Sequence, residues 1–412
     1  MRNNIHIPWE ITVDIFSKLP VKSLCRFKCL SKLFLSLINN PQFMKTHLSQ
    51  SQTKSQKLLH ILGPKFYSLD LESIPSSALP HKFVALNIDF PVRTCIPMYG
   101  SCNGLLFLSI GHSPDDESYG MCCVYNPSTR ELKSVPECNL VAAGDECLLF
   151  QGFGYDDSTD DYKYVMITYF RREIFVYSLR TNNWKMLPDK FIGYKRPYFV
   201  LSKFGDFLNG SIHWAAFSLH ILEYVIVAFE LVDERFKILP IPVPTSHVTA
   251  KGYVLFTGNE VLGACIFTVF RLNDTDNFGR QPQLWVMKEY GVKESWSRIF
   301  LPNPPPPSTK LYRSSQPYLS TRSFEYEYPL CLCRIGDSDS ILMVSHLKES
   351  MDRYTKHGAK CRHVKVVSVE LLACNITDGT CQKLEIVAYK PTNIWWKPLE
   401  VCVESLVSPF KF

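Results

Sequence analysis

The chain is 412 residues long, 46% hydrophobic and 20% charged, with a net charge of +6. Residues 1–60 hold nine Lys or Arg against Glu10 and Asp14, a net of +7, while the other 352 hold 36 basic and 37 acidic side chains. A nucleic-acid binder would interleave basic and aromatic residues over a large surface, and the body of the chain lacks that bias, so nucleic acid is excluded as a partner.

The first 48 residues read as short helices. Pro8 suits the first helical position, because its fixed φ fits and its missing N–H is an orphan donor there anyway. Pro20 disfavours helical geometry at Leu19 and ends that helix. A second helix over VKSLCRFKCL sets Leu24, Phe27 and Leu30 on one side. Ser31 can cap a third carrying Leu33, Phe34, Leu37 and Ile38. Asn39-Asn40-Pro41 breaks the chain, and a last turn runs through Phe43 and Leu48. With Ile11 at 0° on a wheel of roughly 100° per residue, Ile15 falls at about 40°, Leu19 at about 80°, Phe16 at about 140° and Val13 at about 200°. A helix packed on one core needs a stripe of only about 100°. The excess apolar arc calls for a partner protein, and the basic charge of the segment would steer an acidic one.

After a polar linker at 49–56 the pattern alternates. Strand-like runs such as LLFLSI, YVMITYF, IFVYSL, VIVAFEL and VKVVSVELL are separated by Gly, Pro, Asn and Asp turns, which argues for an all-β region over 57–412. The runs form repeats, each closing on an apolar residue and proline, at Pro136, Pro188, Pro240 and Pro302, with intervals of 52, 52 and 62 residues. A period near 50 with four strands per unit is that of a propeller blade, and blades bury their faces only against neighbours. Weaker copies at 57–90 and 328–390 bring the expectation to six blades, with seven or an incomplete ring as alternatives. The terminal strand LEVCVESLV can return to the first blade and close the circle. NPPPP at 303–307 and the polar stretch to Tyr326 read as an inserted loop. The fold class is therefore α+β multidomain, a small all-α segment before a large all-β repeat domain.

Over more than 40 residues without a gap, IPWEITVDIFSKLPVKSLCRFKCLSKLFLSLINNPQFMKTHL resembles a plant-type F-box, whose pattern runs LPxEIxxxILxRLPVKSLxRFKCVSKxWxxLIxxPxFxxxHL. The family's Trp is Phe34 here, and its usual Leu before the first proline is Ile7; both remain apolar. The resemblance implies docking on a small Skp-type adaptor (the ASK type in plants), and through it on a cullin-RING ubiquitin ligase. The residues that match the family's docking surface are Ile7, Pro8, Ile11, Leu19, Pro20, Val21, Leu24, Phe27 and Phe34, some of which can instead hold the F-box together. Family adaptors are acidic, in keeping with the basic segment. From about residue 99 to 407, GSCNGLL, YNPSTRELKSVP, GFGYDDSTDDYKYV, VYSLRTNNWKML and VESLVSP resemble the F-box-associated domain shared by S-locus and defence-repressing plant F-box proteins. That domain is the part of the family taken to capture the protein to be ubiquitinated. The division is then 1–48 F-box, 49–56 linker and 57–412 substrate-binding domain.

The remaining motifs weigh toward structure. Trp184, Trp214, Trp285 and Trp296 sit in or beside strands and read as blade core. Asn126-Pro127-Ser128-Thr129 and Arg180-Thr181-Asn182-Asn183 read as strand-connecting turns. Asp156, Asp157, Asp160 and Asp161 lack the DxDxDG spacing of a calcium loop and read as a solvated turn. Gly152-Phe153-Gly154 lacks the third glycine of a dinucleotide site, and His357, Cys361 and His363 lack a second ligand pair for a metal. No cofactor is expected. The 15 cysteines form no CxxC pair, and the longest apolar stretch, LHILEYVIVAFELV, is broken by Glu223 and Glu230, so no membrane span is expected. With no cleavable apolar N-terminus, the expectation is a reduced protein of the cytosol or nucleus, in which the sequons at Asn209, Asn273 and Asn375 are irrelevant. Three functions fit: a substrate receptor of an Skp–cullin–F-box ubiquitin ligase, a scaffold that binds the adaptor without a cullin, and a propeller enzyme with a regulatory F-box. The target itself is not legible, and the long loops near 111–120, 242–252, 273–283 and 303–326 are the candidates to hold it.

Overall fold

The computed structural model describes residues 7–54, 56–62, 65–70, 84–86, 98–110, 121–139, 148–168, 171–188, 198–200, 204–218, 223–239, 254–255, 260–261, 264–269, 283–300, 322–334, 340–354, 360–375, 381–384 and 399–410. The segment at the N-terminus holds four helices: α1 (Trp9–Ser17), α2 (Val21–Phe27), α3 (Lys32–Ile38) and α4 (Pro41–Lys54). Pro8 and Pro20 are N-caps and not first helical residues. Their φ of −53° and −58° with ψ of 144° and 145° is the extended geometry that precedes a helix, and their carbonyls accept from Thr12 and Leu24, each at 3.1 Å. Ser31 caps α3 as its sequence position implies, its Oγ accepting from Phe34 N at 3.1 Å.

The segment expected as a linker is different. Residues 49–54 continue α4, and the first strand starts at Gln56, so only residue 55 lies between them. The polar composition of SQSQTK hid a helical period: Met44, His47, Leu48 and Ser51 share one face and are all buried. His47 and Ser51 tolerate burial because His47 Nε2 donates to the Leu19 carbonyl at 2.9 Å and Ser51 Oγ lies 3.4 Å from His47 Nδ1. Among the described residues no helix is long and apolar enough to cross a membrane.

Six antiparallel sheets follow among the described residues, matching the six expected blades. Sheet 1 joins both ends of the β-region: Gln56–Leu62, Lys65–Asp70 and Val84–Leu86 take Leu399–Val403 as a fourth strand, with Leu58 opposite Val401. The expected return of the terminal strand to the first blade is therefore present. Sheets 2 and 3 are four-stranded meanders over Met98–Ser134 and Leu148–Met186. Sheet 4 covers Tyr198–Leu239, sheet 5 Val254–Phe300 and sheet 6 Arg322–Leu384. The stretch read as a loop up to Tyr326 is shorter than expected, because Arg322–Arg334 is already a strand of sheet 6.

The strands meeting between neighbouring sheets are Leu399–Val403, Met98–Cys102, Leu148–Asp156 and Asp206–Leu208, with Arg322–Arg334 beside Leu399–Val403. Sheets 1, 2 and 3 are thereby each flanked by two neighbours. In sheet 3, every residue of Asp161–Thr168 is buried: Val165 and Ile167 pack with Ile212 and Trp214 of sheet 4, while Tyr164 and Met166 pack with Phe107 of sheet 2. The approach is close enough to require glycine. A Cβ on Gly152 would lie 2.3 Å from Ile212 Cγ2, so the Gly-Phe-Gly motif is a packing device.

Tight turns at Asn103-Gly104, Pro127–Arg130, Asp157–Asp160 and Asn209-Gly210 occupy one rim, and α4 lies against it. The strand ends at Ile110 and Met121, at Leu239, at Val269 and Gln283, and at Phe300 lie at the opposite ends of their pairings. The long connections between them, including the four candidate target-holding loops outside their terminal strand residues, lie outside the described residues.

Candidate functional site

α1 divides its apolar residues between two environments. Phe16 is 6% exposed and joins a core with Val21, Leu24, Ile38, Phe43 and Met44, with Val13 and Leu19 packed against it. On the other side Ile11 and Ile15 are 51% and 45% exposed, and Ile7 and Trp9 are exposed at the start of the helix. The excess arc read from the wheel is thus an open apolar face. Leu19 lies beyond the end of α1 and is half-buried.

The nine residues matched to the docking surface separate into three groups. Ile7, Pro8, Ile11 and Pro20 are exposed. Leu19, Phe27 and Phe34 are half-buried: the rings of Phe27 and Phe34 stand 4.9 and 4.8 Å from that of Phe16 and 6.1 Å from each other. Val21 and Leu24 are fully buried at 0% exposure and form part of the core beneath the exposed residues. Phe34, where the resemblance has Trp, fills an aromatic triad, and its apolar ring meets that need.

Sequence reasoning missed Trp9, Ile15, Leu30, Leu33 and Leu35, all exposed. Leu30 was read as the far end of the second helix, but α2 stops at Phe27 and leaves Leu30 in a turn, 67% exposed. Ile15 was visible on the wheel, one turn from Ile11. The signal was there in the width of the arc.

The helical unit is seated on the rim of tight turns. Lys45 on α4 pairs with Asp160 at 3.0 Å, and Gln52 Nε2 donates to Asn103 Oδ1 at 3.3 Å. The Tyr155 hydroxyl, and then Lys45, hold the Asp160 carboxyl below the usual carboxylate range. A cleft of about 320 Å³ remains between Met44, Leu48 and Gln52 of α4 and Asn103, Tyr155 and Phe207 of the sheets.

The aspartate pairs are not simply a solvated turn. Asp156 and Asp161 are buried, while Asp157 is exposed. Asp156 pairs with Lys163 at 2.7 Å, and Asp161 accepts from Ser178 Oγ at 2.5 Å and Arg180 N at 2.8 Å. Trp214 is fully buried, its Nε1 donating to the Gln151 carbonyl at 2.8 Å, and Trp296 is buried too, in keeping with their reading as blade core. Trp184 is half-buried against the sheet 2–3 core.

The molecule is a helical unit with an open apolar face, seated on a series of antiparallel blades. A family model described as F-box associated beta propeller domain matches residues 32–367, and one described as F-box domain matches residues 5–46. The chain belongs to the F-box proteins that carry an F-box-associated β-propeller domain. It is similar to F-box protein CPR1 of Arabidopsis thaliana, 30% identical over 364 residues that cover 79% of this chain and 76% of the relative. It is also similar to the F-box/kelch-repeat protein At3g23880 of the same plant, 28% identical over 308 residues that cover 71% of this chain and 79% of the relative.

Proposed function

We propose that the chain is the substrate-recognition subunit of an Skp–cullin–F-box ubiquitin ligase. The F-box docks on the Skp/ASK adaptor, and the propeller recruits a target protein for ubiquitination and proteasomal degradation. The observation that carries this reading is the open face of Ile11 and Ile15 on α1, with Ile7 exposed just ahead of it, on a helix whose other face is already filled. Large exposed apolar patches mark protein interaction sites. The concentration of positive charge in the same segment suits an acidic adaptor.

The subunit supplies no catalytic group. It raises the effective concentration of target lysines near the charged ubiquitin carrier. Target capture on the rim facing away from α4 is supported by the strand ends at Ile110, Met121, Leu239, Val269, Gln283 and Phe300, which lie on that side. The cytoplasm or nucleus, where free thiols persist, is the compartment this reading requires.

The test is a pull-down of purified Skp-type adaptor and cullin with the full chain and with Ile11→Asp plus Ile15→Asp. Both side chains are exposed, so the fold should survive while adaptor binding falls at least tenfold. Undiminished binding would sink the docking assignment. Adaptor recovered without cullin would favour a non-degradative scaffold.

A further inference from the structure

The first and last parts of the chain share one hydrophobic core. Leu406 is 2% exposed and packs among Phe16, Val21, Leu24 and Ile38 of the docking helices. Two residues earlier, Glu404 accepts from Val21 N, the first residue of α2, at 3.2 Å, and pairs with Lys57 of sheet 1. The residues between and beyond are held from the propeller side. Asn126 Nδ2 donates to the carbonyls of Ser405 and Val407 at 2.9 and 2.7 Å, and Ser405 N donates to Ser128 Oγ at 3.3 Å. Gly104, at φ +82°, leaves the room that Ser405 uses: a Cβ there would sit 2.3 Å from Ser405 Cβ. Side chains alternate, so Leu406 enters the helices while Val407 packs against the core of sheets 2 and 3.

The helices need this help. α1, α2 and α3 have nine, seven and seven residues, lengths at which an isolated helix is marginal in water. Their core is small, and among the described residues Leu406 is the one fully buried member that comes from outside the four-helix segment. The segment that carries it follows directly on Leu399–Val403, the strand that closes sheet 1.

We propose that the segment Glu404–Val407 is a positioning element for the docking face: α1, packed on α2, presents Ile11 and Ile15 competently only when Leu406 is seated, so adaptor docking is conditional on return of the strand Leu399–Val403 to sheet 1. The adaptor half of this statement rests on the function proposed above. The coupling half does not, and the two can be tested apart.

The experiment compares the full-length chain with Leu406→Asp and Leu406→Met, reading adaptor affinity and amide hydrogen exchange by mass spectrometry. In Leu406→Asp, protection in residues 9–38 should fall at least tenfold while that of Ile174–Ser178 in sheet 3 stays within twofold, and adaptor affinity should fall at least tenfold. Leu406→Met, which keeps an apolar side chain of similar volume, should restore both. Unchanged protection in residues 9–38, or an equal loss in sheet 3, would overturn the coupling. If the wild-type chain itself binds no adaptor, the docking reading falls, and the exchange pattern alone decides whether Leu406 positions the helices.

Discussion

Lys163→Met is the most severe single test of how the blades are held together. The Lys163 side chain is 8% exposed and its ammonium joins two sheets: within sheet 3 it reaches Asp156 Oδ2 at 2.7 Å, and across to sheet 4 it reaches Glu234 Oε1 at 3.1 Å and the Leu231 carbonyl at 2.9 Å. Removing one partner of a buried ion pair costs about 3–5 kcal/mol, because the charge left behind stays desolvated. Two features set the expected loss at the lower end. Asp156 keeps the Ser158 N–H and the Ser158 and Thr159 hydroxyls, and Glu234 keeps Lys185 at 2.7 Å. The expected loss is therefore about 3 kcal/mol, and adding Asp156→Asn should return about 1–2 kcal/mol by removing the stranded charge.

The same site sets a pH dependence. Burial pushes the Asp156 carboxyl up, but hydrogen bonds from Lys163, Ser158 and Thr159 outweigh it and bring it down from 3.8 to about 2. A depressed carboxyl stabilises the fold above its unfolded value, so a contribution of about 2 kcal/mol is complete above pH 3.8 and is lost as pH falls toward 2. Lys163 is shifted the other way: burial would lower it, but Asp156 and Glu234 raise it above 10.5, so its share is present below that pH and lost at higher pH. Urea unfolding followed by tryptophan fluorescence reads both, with Trp214 buried where sheets 3 and 4 meet. A loss below about 1 kcal/mol at neutral pH would refute the assignment of Lys163 as an inter-sheet clamp.

Phe34→Ala opens the aromatic triad with Phe16 and Phe27 and should cost about 2–3 kcal/mol by thermal or urea unfolding, while Phe34→Trp should be tolerated. Asn126→Asp keeps the acceptor for Ser128 N and Thr129 N but turns a carboxylate oxygen toward the carbonyls of Ser405 and Val407. It should destabilise by about 3 kcal/mol, at least as much as Asn126→Ala, in the same assay. Gly152→Ala should cost about 1–3 kcal/mol by pressing on Ile212, a β-branched neighbour with little rotamer freedom, and a wild-type melting midpoint would count against the close-packing account.

Local rules carried much of this structure. Turn chemistry and strand alternation repeat at every blade, so the proline-terminated units counted correctly, and the Ser31 cap, the buried Trp214 and the returning terminal strand all followed from sequence. What local rules missed depends on partners distant in the chain. Val21 and Leu24 match a surface motif, yet the element that helps bury them lies some 380 positions away, with Glu404 bonded to Val21 across 383 residues. Asp156 and Asp161 look like solvated turn residues until Lys163, Ser178 and Arg180 are folded around them. The linker failed for a subtler reason: Ser51 and His47 pair with each other, so a buried helical face was written in polar residues. On the open apolar surface of the helices, Ile11 was legible because exposure follows from the helical period, whereas Leu30 depended on where α2 stops.

Sheet 1 gives the chain an order of assembly. Sheets 2–6 each draw their strands from one continuous stretch, so each can form as soon as that stretch leaves the ribosome. Sheet 1 cannot, because its fourth strand, Leu399–Val403, is synthesised about 340 residues after Gln56–Leu62. Pairing across such a separation is slow, since the entropy of closing the loop is lost before the strand contacts repay it. Every nascent chain therefore passes through a stage with Leu58 and Leu59 on an unpaired edge, and a message truncated before Leu399 leaves it there. Translation through Val403 is what turns an edge prone to aggregation into a paired one.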